Sequence, residues 1–411
     1  MNKRELTIRF GIQQGLHWLI MGIMIPVITL IFQSRGLNLF DIGLVMAVWI
    51  GSTALLEIPM GGLADKYGKR RTYLVSLFTN MVGCIVLLVS YDFSFLLMSS
   101  FILGASRALY SGTLDALFYE SFQHQVGDGT FHSALAKVNV MITFGLAIGS
   151  LIGGVLPDVI NNLGAGFPSV YDLNILTVII GNVLLLAGTI WVIPNQKRGT
   201  STDPSIFVSS AKSILRTIQC AFTHCVIKRL MQTTLVLGMV LSAAENHWQP
   251  YLARIIEDTG YGITMFGMVS SLYFLMSAVA SLCSITLLTW FNGSHRMLML
   301  VTRCMAGVLF FLLAHTTSFL AFLVCYLGFF FLFTLGNNSE SVLLNDNTSE
   351  EVRSTMLSVS SFVVTIGGVL SSLVFGFISE HYGIPLSWQL SGILLVVSSF
   401  VLLFIPRSNI G

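Results

Sequence analysis

Three acidic residues lie inside long segments of the chain that are predominantly apolar. They are Asp115 in LYSGTLDALFY, Glu245 in SAAENHWQPYL and Glu340 in LGNNSESVLL. A carboxyl group that is removed from water keeps its proton more readily, so it can alternate between a neutral and a charged form. Acids in such surroundings are therefore candidates for carrying protons or for recognising cations.

Cationic and aromatic side chains accompany these acids. The residues that we predict to contact a substrate are His17, Trp18, Arg107, His247, Trp248 and Tyr251. Aromatic faces attract cations and accept many apolar shapes, whereas Arg107 would anchor an anion. A structural interpretation stays open as well: Arg107 and Asp115, two helical turns apart on one face, would form an ion pair, and His17 would pack in the interior.

Long apolar runs must position all of these residues. Of the 411 residues, 54% are hydrophobic and only 10% are charged, against about 25% charged in soluble domains. About 20 apolar residues cross the ~30 Å hydrocarbon layer as a helix. Twelve segments have this character: 10–33, 40–62, 71–90, 94–119, 133–156, 173–193, 230–251, 263–290, 297–314, 318–341, 354–379 and 387–405. The sequence predicts an all-α polytopic membrane protein with twelve transmembrane helices.

Basic residues are distributed unevenly between the two ends of these segments. With the N-terminus in the cytoplasm, 17 of the 21 Lys and Arg fall on the cytoplasmic side, and only Arg35 and Arg254 fall outside. The positive-inside rule therefore predicts that both termini are cytoplasmic. Arg107 and Arg303 lie within spans. Arg303 has no partner that the sequence makes evident, and we interpret it as a structural or snorkelling residue.

The two halves of the chain repeat one another. Pro26, Gly36, Gly43 and Gly112 each recur 224 positions later, as Pro250, Gly260, Gly267 and Gly336. We predict two pseudo-symmetric six-helix bundles, residues 1–193 and 230–411, joined by a cytoplasmic linker, residues 194–229. A six-helix repeat is typical of secondary transporters, whose substrate site lies between the repeats.

One cytoplasmic loop combines charge with glycine. It reads GGLADKYGKRR, residues 61–71. This resembles the signature loop of the major facilitator superfamily, which runs Gly, three residues, Asp, basic, any, Gly, basic, basic. The positive-inside rule alone would explain the cations but not the acid and the spaced glycines. The resemblance implies a conformational latch that stabilises the outward-facing state, formed by Gly61, Asp65, Gly68, Lys69, Arg70 and Glu120.

The fifth span also resembles the antiporter branch of this family. Its sequence GLAIGSLIGG, residues 145–154, follows the pattern Gly, three residues, Gly-Pro, two residues, Gly-Gly, with Ser150 in place of the proline. In proton antiporters of the family, acids of the seventh and tenth spans take up and release protons. The resemblance therefore implies proton coupling by Glu245 and Glu340, joined by Asp115, whose repeat partner lies next to Glu340.

Signatures of catalysis are not evident in the sequence. It has no Gly-rich loop followed by Lys and Ser or Thr, and no His-Glu-x-x-His pair. We therefore expect that the protein is not an enzyme and requires no cofactor or metal. Together with the resemblance, the topology leads us to expect a monomeric transporter of the bacterial inner membrane that binds no nucleic acid. The resemblance implies proton-coupled efflux of amphiphilic, cationic small molecules by alternating access. The alternative is an exporter or importer of one specific metabolite or siderophore-like organic anion.

Overall fold

The computed structural model describes residues 2–164, 166–193, 224–349 and 353–405, and all regular structure in these ranges is helical. The helices are α1 (Lys3–Gly22), α2 (Ile28–Ser34), α3 (Leu39–Tyr67), α4 (Lys69–Val89), α5 (Phe93–Tyr110), α6 (Thr113–Gln123), α7 (Phe131–Leu163), α8 (Asp172–Val192), α9 (Cys225–Ile256), α10 (Thr264–Trp290), α11 (His295–Leu313), α12 (Phe319–Asp346), α13 (Arg353–Tyr382) and α14 (Ile384–Ser399). A 3₁₀ segment, Phe400–Phe404, extends α14. Each predicted span coincides with one helix or with two in succession, which confirms the all-α class.

Within the described ranges, eleven helical segments are long and apolar enough to cross a membrane. The first predicted span is not among them, because α1 carries Arg9, Gln13, Gln14 and His17 among its apolar residues. This span is also interrupted. Its turn contains Pro26, which has no backbone N–H to donate.

The fourth span is divided into α5 and α6. Gly112 separates the two helices with φ 66°, a left-handed conformation that glycine adopts without a steric penalty. Arg107 lies in the last turn of α5 and Asp115 in the first turn of α6. The break therefore interrupts the regular helical spacing on which the predicted Arg107–Asp115 ion pair depends.

The chain forms two compact units. Unit 1 consists of Met1–Leu37, Val48–Thr202 and Gly260–Leu275, and unit 2 consists of Asn38–Ala47, Asp203–Thr259 and Met276–Gly411. The predicted division at residues 193 and 230 stays a prediction, and residues 194–223 of the predicted linker lie outside the described residues. Each unit contains one short segment from the opposite half of the sequence.

Small residues bring α1 and α7 together within unit 1. A Cβ at Gly145 would collide with the backbone carbonyl of Gly15, and similar contacts recur one turn further along both helices. Ser150, which replaces the proline of the antiporter pattern, donates its hydroxyl to the carbonyl of Gly22 at 3.4 Å. Membrane helices commonly pack in this way. Because lipid is as apolar as the helix surface, the hydrophobic effect does not drive their association, and close van der Waals packing replaces it.

Unit 2 packs α9 against α13 in the same way. A Cβ at Gly238 would collide with the carbonyl of Val364, and one at Gly367 with the carbonyl of Leu235. Trp388 of α14 is fully buried nearby, and its indole Nε1 donates to the carbonyl of Ala243 at 3.1 Å. The two halves therefore use the same packing device for equivalent helices.

Candidate functional site

A polar cluster in unit 1 surrounds Asp115. The amide Nε2 of Gln14 donates to Oδ1 of Asp115 at 3.0 Å, and the hydroxyl of Tyr110 donates to Oε1 of Gln14 at 2.6 Å. Gln14 lies in the middle of α1, while Tyr110 and Asp115 flank the break at Gly112. The cluster therefore depends on three helices and on the interruption between two of them. We call Gln14, Tyr110 and Asp115 the unit 1 cluster.

Aromatic rings adjoin the unit 1 cluster. The ring of His17 stacks on that of Tyr110 with centroids 4.1 Å apart, and Trp18 meets Tyr110 edge to face at 5.8 Å. Nδ1 of His17 lies 3.2 Å from the hydroxyl of Tyr73, which also accepts Nε2 of Gln13 at 3.3 Å. His17 is buried and Trp18 is half-buried. These contacts produce an aromatic wall next to an acid.

The structure does not pair Arg107 with Asp115. Both side chains are exposed, and the hydrogen bond of Asp115 comes from a neutral amide. Arg107 belongs to none of the ion pairs among the described residues, which are Arg9–Glu5, Arg35–Asp172, Lys69–Glu120 and Arg303–Glu340. A cation and an anion within one membrane span are thus both accessible.

Unit 2 holds its acid in a different way. Nη2 of Arg303 donates to Oε2 of Glu340 at 2.6 Å, and the hydroxyl of Thr234 donates to Oε1. Arg303 is 1% exposed and Glu340 is 7% exposed. Arg303 is therefore a buried ion-pair partner and does not snorkel, so this part of our interpretation was wrong. The available signal was the rule that a charge inside a span requires a partner.

The predicted residues of α9 do not share one surface. Glu245 is exposed, whereas His247, Trp248 and Tyr251 are buried. Nδ1 of His247 lies 3.0 Å from the carbonyl of Ala243, and Trp248 packs beside an aromatic ring of α12. The hydroxyl of Tyr251 donates to two carbonyls of the loop after α11, at 3.1 and 2.9 Å. Hydrogen bonding and packing thus occupy these three side chains.

The charged loop, residues 61–71, consists of the last turns of α3, Gly68 and the first residues of α4. Gly68 has φ 94° and precedes the first residue of α4. Nζ of Lys69 forms an ion pair with Glu120 of α6, and Nη2 of Arg70 donates to the carbonyl of Ile190 at 2.7 Å. A Cβ at Gly61 would meet no described atom within 4 Å. The side chain of Asp65 lies outside what the structure describes.

Comparison with known proteins assigns the family. The family model described as the Major Facilitator Superfamily matches residues 10–341. The chain belongs to the major facilitator superfamily. This superfamily member is 22% identical over 400 residues to the uncharacterized MFS-type transporter YxaM of Bacillus subtilis strain 168, covering 96% of this chain and 94% of YxaM. It is 28% identical over 300 residues to the quinolone resistance protein NorA of Staphylococcus aureus strain MSSA476, covering 71% of each.

Solved structures share the fold of this superfamily member. A crystal structure of the nucleoside transporter NupG superposes with a TM-score of 0.78 at 14% identity, covering 97% of this chain and 98% of NupG. A bacterial homolog of the human lysosomal transporter Spinster, inward-facing and occupied, gives 0.76 at 13% identity, with coverage of 97% and 95%. The predicted twelve-helix transporter fold is thereby confirmed.

These comparisons establish the general class of the protein. The chain is a multi-pass membrane transporter and not an enzyme. Its substrates are expected to be small molecules bound within the bilayer. Among the described residues, no group of three or more His, Cys, Asp and Glu side chains could hold a metal ion.

Proposed function

We propose that this transporter exports amphiphilic, cationic small molecules in exchange for protons by alternating access. The observation that carries the proposal is the unit 1 cluster, where an exposed carboxylate lies within a membrane span beside an aromatic wall. A proton and an organic cation compete for Asp115, while Trp18 and His17 contact the apolar part of the cargo. The similarity to a quinolone resistance protein supports efflux of a small molecule.

The remaining acids complete the coupling set. Glu245 is exposed on α9 and takes up protons directly. Glu340 takes up a proton when its ion pair with Arg303 breaks. The substrate path also depends on three buried side chains of unit 2, which support its wall: His247, Trp248 and Tyr251. One elementary charge moving across 100 mV supplies ~2.3 kcal/mol, which supports roughly 50-fold accumulation per proton.

The charged loop selects between conformational states. Gly61, Asp65, Gly68, Lys69 and Arg70 act with Glu120 as the conformational latch, and the ion pair between Lys69 and Glu120 supports this role. The transporter acts as a monomer in the bacterial inner membrane, with both termini in the cytoplasm. The asymmetric distribution of Lys and Arg supports this orientation.

Purified protein in liposomes that contain a pH-sensitive dye tests this function. With the unaltered protein and an imposed proton gradient, addition of a lipophilic cation is expected to move protons across the liposome membrane, which the dye reports as a change of internal pH. Asp115→Asn removes the exchangeable proton and is expected to abolish that proton movement. Asp92→Asn, an exposed acid outside the candidate spans, is the matched control and should retain it. Cation-driven proton release that survives Asp115→Asn would show that the exchange does not use this acid.

A second candidate cargo is an organic anion, moved in either direction. It is favoured by Arg107, which is exposed in a span and belongs to no ion pair of the described residues. The same liposomes distinguish the two cargoes. If an organic anion alone moves protons and Arg107→Gln removes that response, the cargo is anionic. If no organic anion moves protons with the unaltered protein, or if the anion response survives Arg107→Gln, the anion candidate based on Arg107 is excluded.

A further inference from the structure

The segments that the two units take from opposite halves of the sequence include the first turns of two related helices. Residues 260–275 contain the start of α10 and belong to unit 1, while residues 38–47 contain the start of α3 and belong to unit 2. We call these the exchanged segments. Leu39 and Ile263 are 224 positions apart, which is the interval of the repeat.

A carboxylate holds the exchanged segment of unit 1. Asp158 of α7 accepts the backbone N–H of Ile263 at 2.9 Å and that of Thr264 at 2.8 Å, and it accepts the hydroxyl of Thr264 at 2.6 Å. The first N–H groups of a helix have no acceptor within the helix, and the helix dipole favours a negative charge there. Burial raises the pKa of the neighbouring Tyr171 to about 12, and the negative charge of Asp158 adds to that shift. The phenol of Tyr171 therefore stays neutral.

Unit 2 repeats this contact in a weaker form. Oε2 of Glu380, on α13, accepts the backbone N–H of Leu39 at 2.8 Å. Glu380 follows Asp158 by 222 positions, within two residues of the repeat interval. The side chain of Glu380 is exposed, whereas that of Asp158 is half-buried and accepts three hydrogen bonds. The two contacts are thus related by the duplication but are unequal in strength.

Glycines bring backbones into contact beside both carboxylates. A Cβ at Gly267 would lie 2.6 Å from the carbonyl oxygen of Ser150, and one at Gly43 would collide with the carbonyl of Ser372. A Cβ at Gly262 would collide with Oδ2 of Asp158 itself. Surfaces without protruding side chains can separate and meet again without side-chain repacking. The hydrogen bonds to the two carboxylates then fix the position of each exchanged segment.

We propose that Asp158 and Glu380 are positioning residues of the transport cycle, which close one end of the transporter by holding the exchanged segments and release them when that end opens. When the substrate path opens between the two halves of the sequence, each exchanged segment moves with its own half. Residues 260–275 then leave unit 1, and residues 38–47 leave unit 2. Both contacts therefore break in the same step. Leu39 begins α3, whereas the charged loop, residues 61–71, includes the last turns of α3, so the Glu380 contact lies at the opposite end of this helix. The inference rests on alternating access in the proposed function and is independent of cargo and coupling ion.

Spin-label distances test this role directly. Labels at Leu163→Cys and Asp258→Cys, in a chain without its native cysteines, lie on opposite halves of the sequence and flank the Asp158 contact. Asp158→Ala removes all three hydrogen bonds and is expected to raise the population of long distances by at least roughly tenfold, the equivalent of one charge-assisted hydrogen bond. Glu380→Ala should raise it by a smaller factor, and the double variant should exceed either one. Asp128→Ala, an exposed acid before α7, is the matched control and should leave the distances unchanged.

A second perturbation separates this role from simple helix capping. Gly262→Ala displaces the carboxylate without changing any charge and should shift the distances in the same direction as Asp158→Ala. It also keeps the test available if Asp158→Ala does not fold. A lower melting temperature with unchanged distances in these variants would overturn the proposal. If the distances shift but no cargo moves protons, the proton-coupled function fails while this inference stands.

Discussion

The acids of the two units occupy nearly equivalent places in the duplicated sequence and have opposite surroundings. Asp115 and Glu340 are 225 positions apart, within one residue of the repeat interval. Asp115 is exposed and bonded to the neutral amide of Gln14, whereas Glu340 is buried and bonded to the guanidinium of Arg303. A neutral partner leaves the charge of Asp115 available to a cation, and Arg303 neutralises that of Glu340. The two halves thus place an acid within one residue of equivalent positions, in opposite chemical surroundings.

Breaking the ion pair of unit 2 should have the largest effect. Arg303→Met leaves Glu340 buried without its cation, and loss of one partner of a buried pair costs about 3–5 kcal/mol of stability. We expect a correspondingly lower melting temperature of the purified protein in detergent. Arg107→Met removes an exposed guanidinium and should change stability by less than about 0.5 kcal/mol. Equal melting temperatures for these two variants would contradict the distinction between the units.

Converting the unit 1 cluster to the unit 2 type should have the next largest effect. Gln14→Arg places a guanidinium beside Asp115 and should form an ion pair like Arg303–Glu340. Cation-driven proton release in liposomes is expected to fall by at least about tenfold, equivalent to ~1.4 kcal/mol. Undiminished cation exchange would show that the neutral partner of Asp115 is unimportant.

Removing the amide without adding charge should have a smaller effect. Gln14→Met deletes the hydrogen bond to Asp115, and a bond of this kind contributes about 1 kcal/mol. We expect the concentration of cation at half-maximal proton release to rise roughly fivefold. Because Met adds no cation, the maximal rate should stay closer to that of the unaltered protein than in Gln14→Arg. A greater loss in Gln14→Met than in Gln14→Arg would reverse this reasoning.

The smallest effect is expected for the hydroxyl of Tyr110. Tyr110→Phe removes its hydrogen bond to Gln14 but keeps the ring that stacks on His17. The half-maximal cation concentration should rise only about two- to threefold, at the low end of a single hydrogen bond. Tyr110→Ala removes the ring as well and should cost more. If both variants behave alike, the ring contributes little to cargo binding.

Several features of the site followed from the sequence. The spans, the candidate acids within them and the charged loop were all identified there, because apolar length and isolated charges are local properties. Other features did not follow. The division of the fourth span at Gly112 was missed, since one glycine in an apolar run is compatible with a continuous helix. Substrate contact by Trp248 and Tyr251 stays a prediction, but the sequence did not show that Trp248 packs beside an aromatic ring of α12 or that the hydroxyl of Tyr251 donates to loop carbonyls.

The sequence by itself determined that this protein crosses the membrane many times, that its halves are duplicated and that its work is transport. Those properties depend on the match between apolar length and bilayer thickness and on spacing that recurs along the chain. Only the tertiary structure decided which polar groups meet. Gln14 reaches Asp115 across 101 positions and Arg303 reaches Glu340 across 37, because helix packing sets the rotation of each helix about its axis. That rotation is determined by contacts between distant backbones, such as Gly15 with Gly145, which no local pattern specifies.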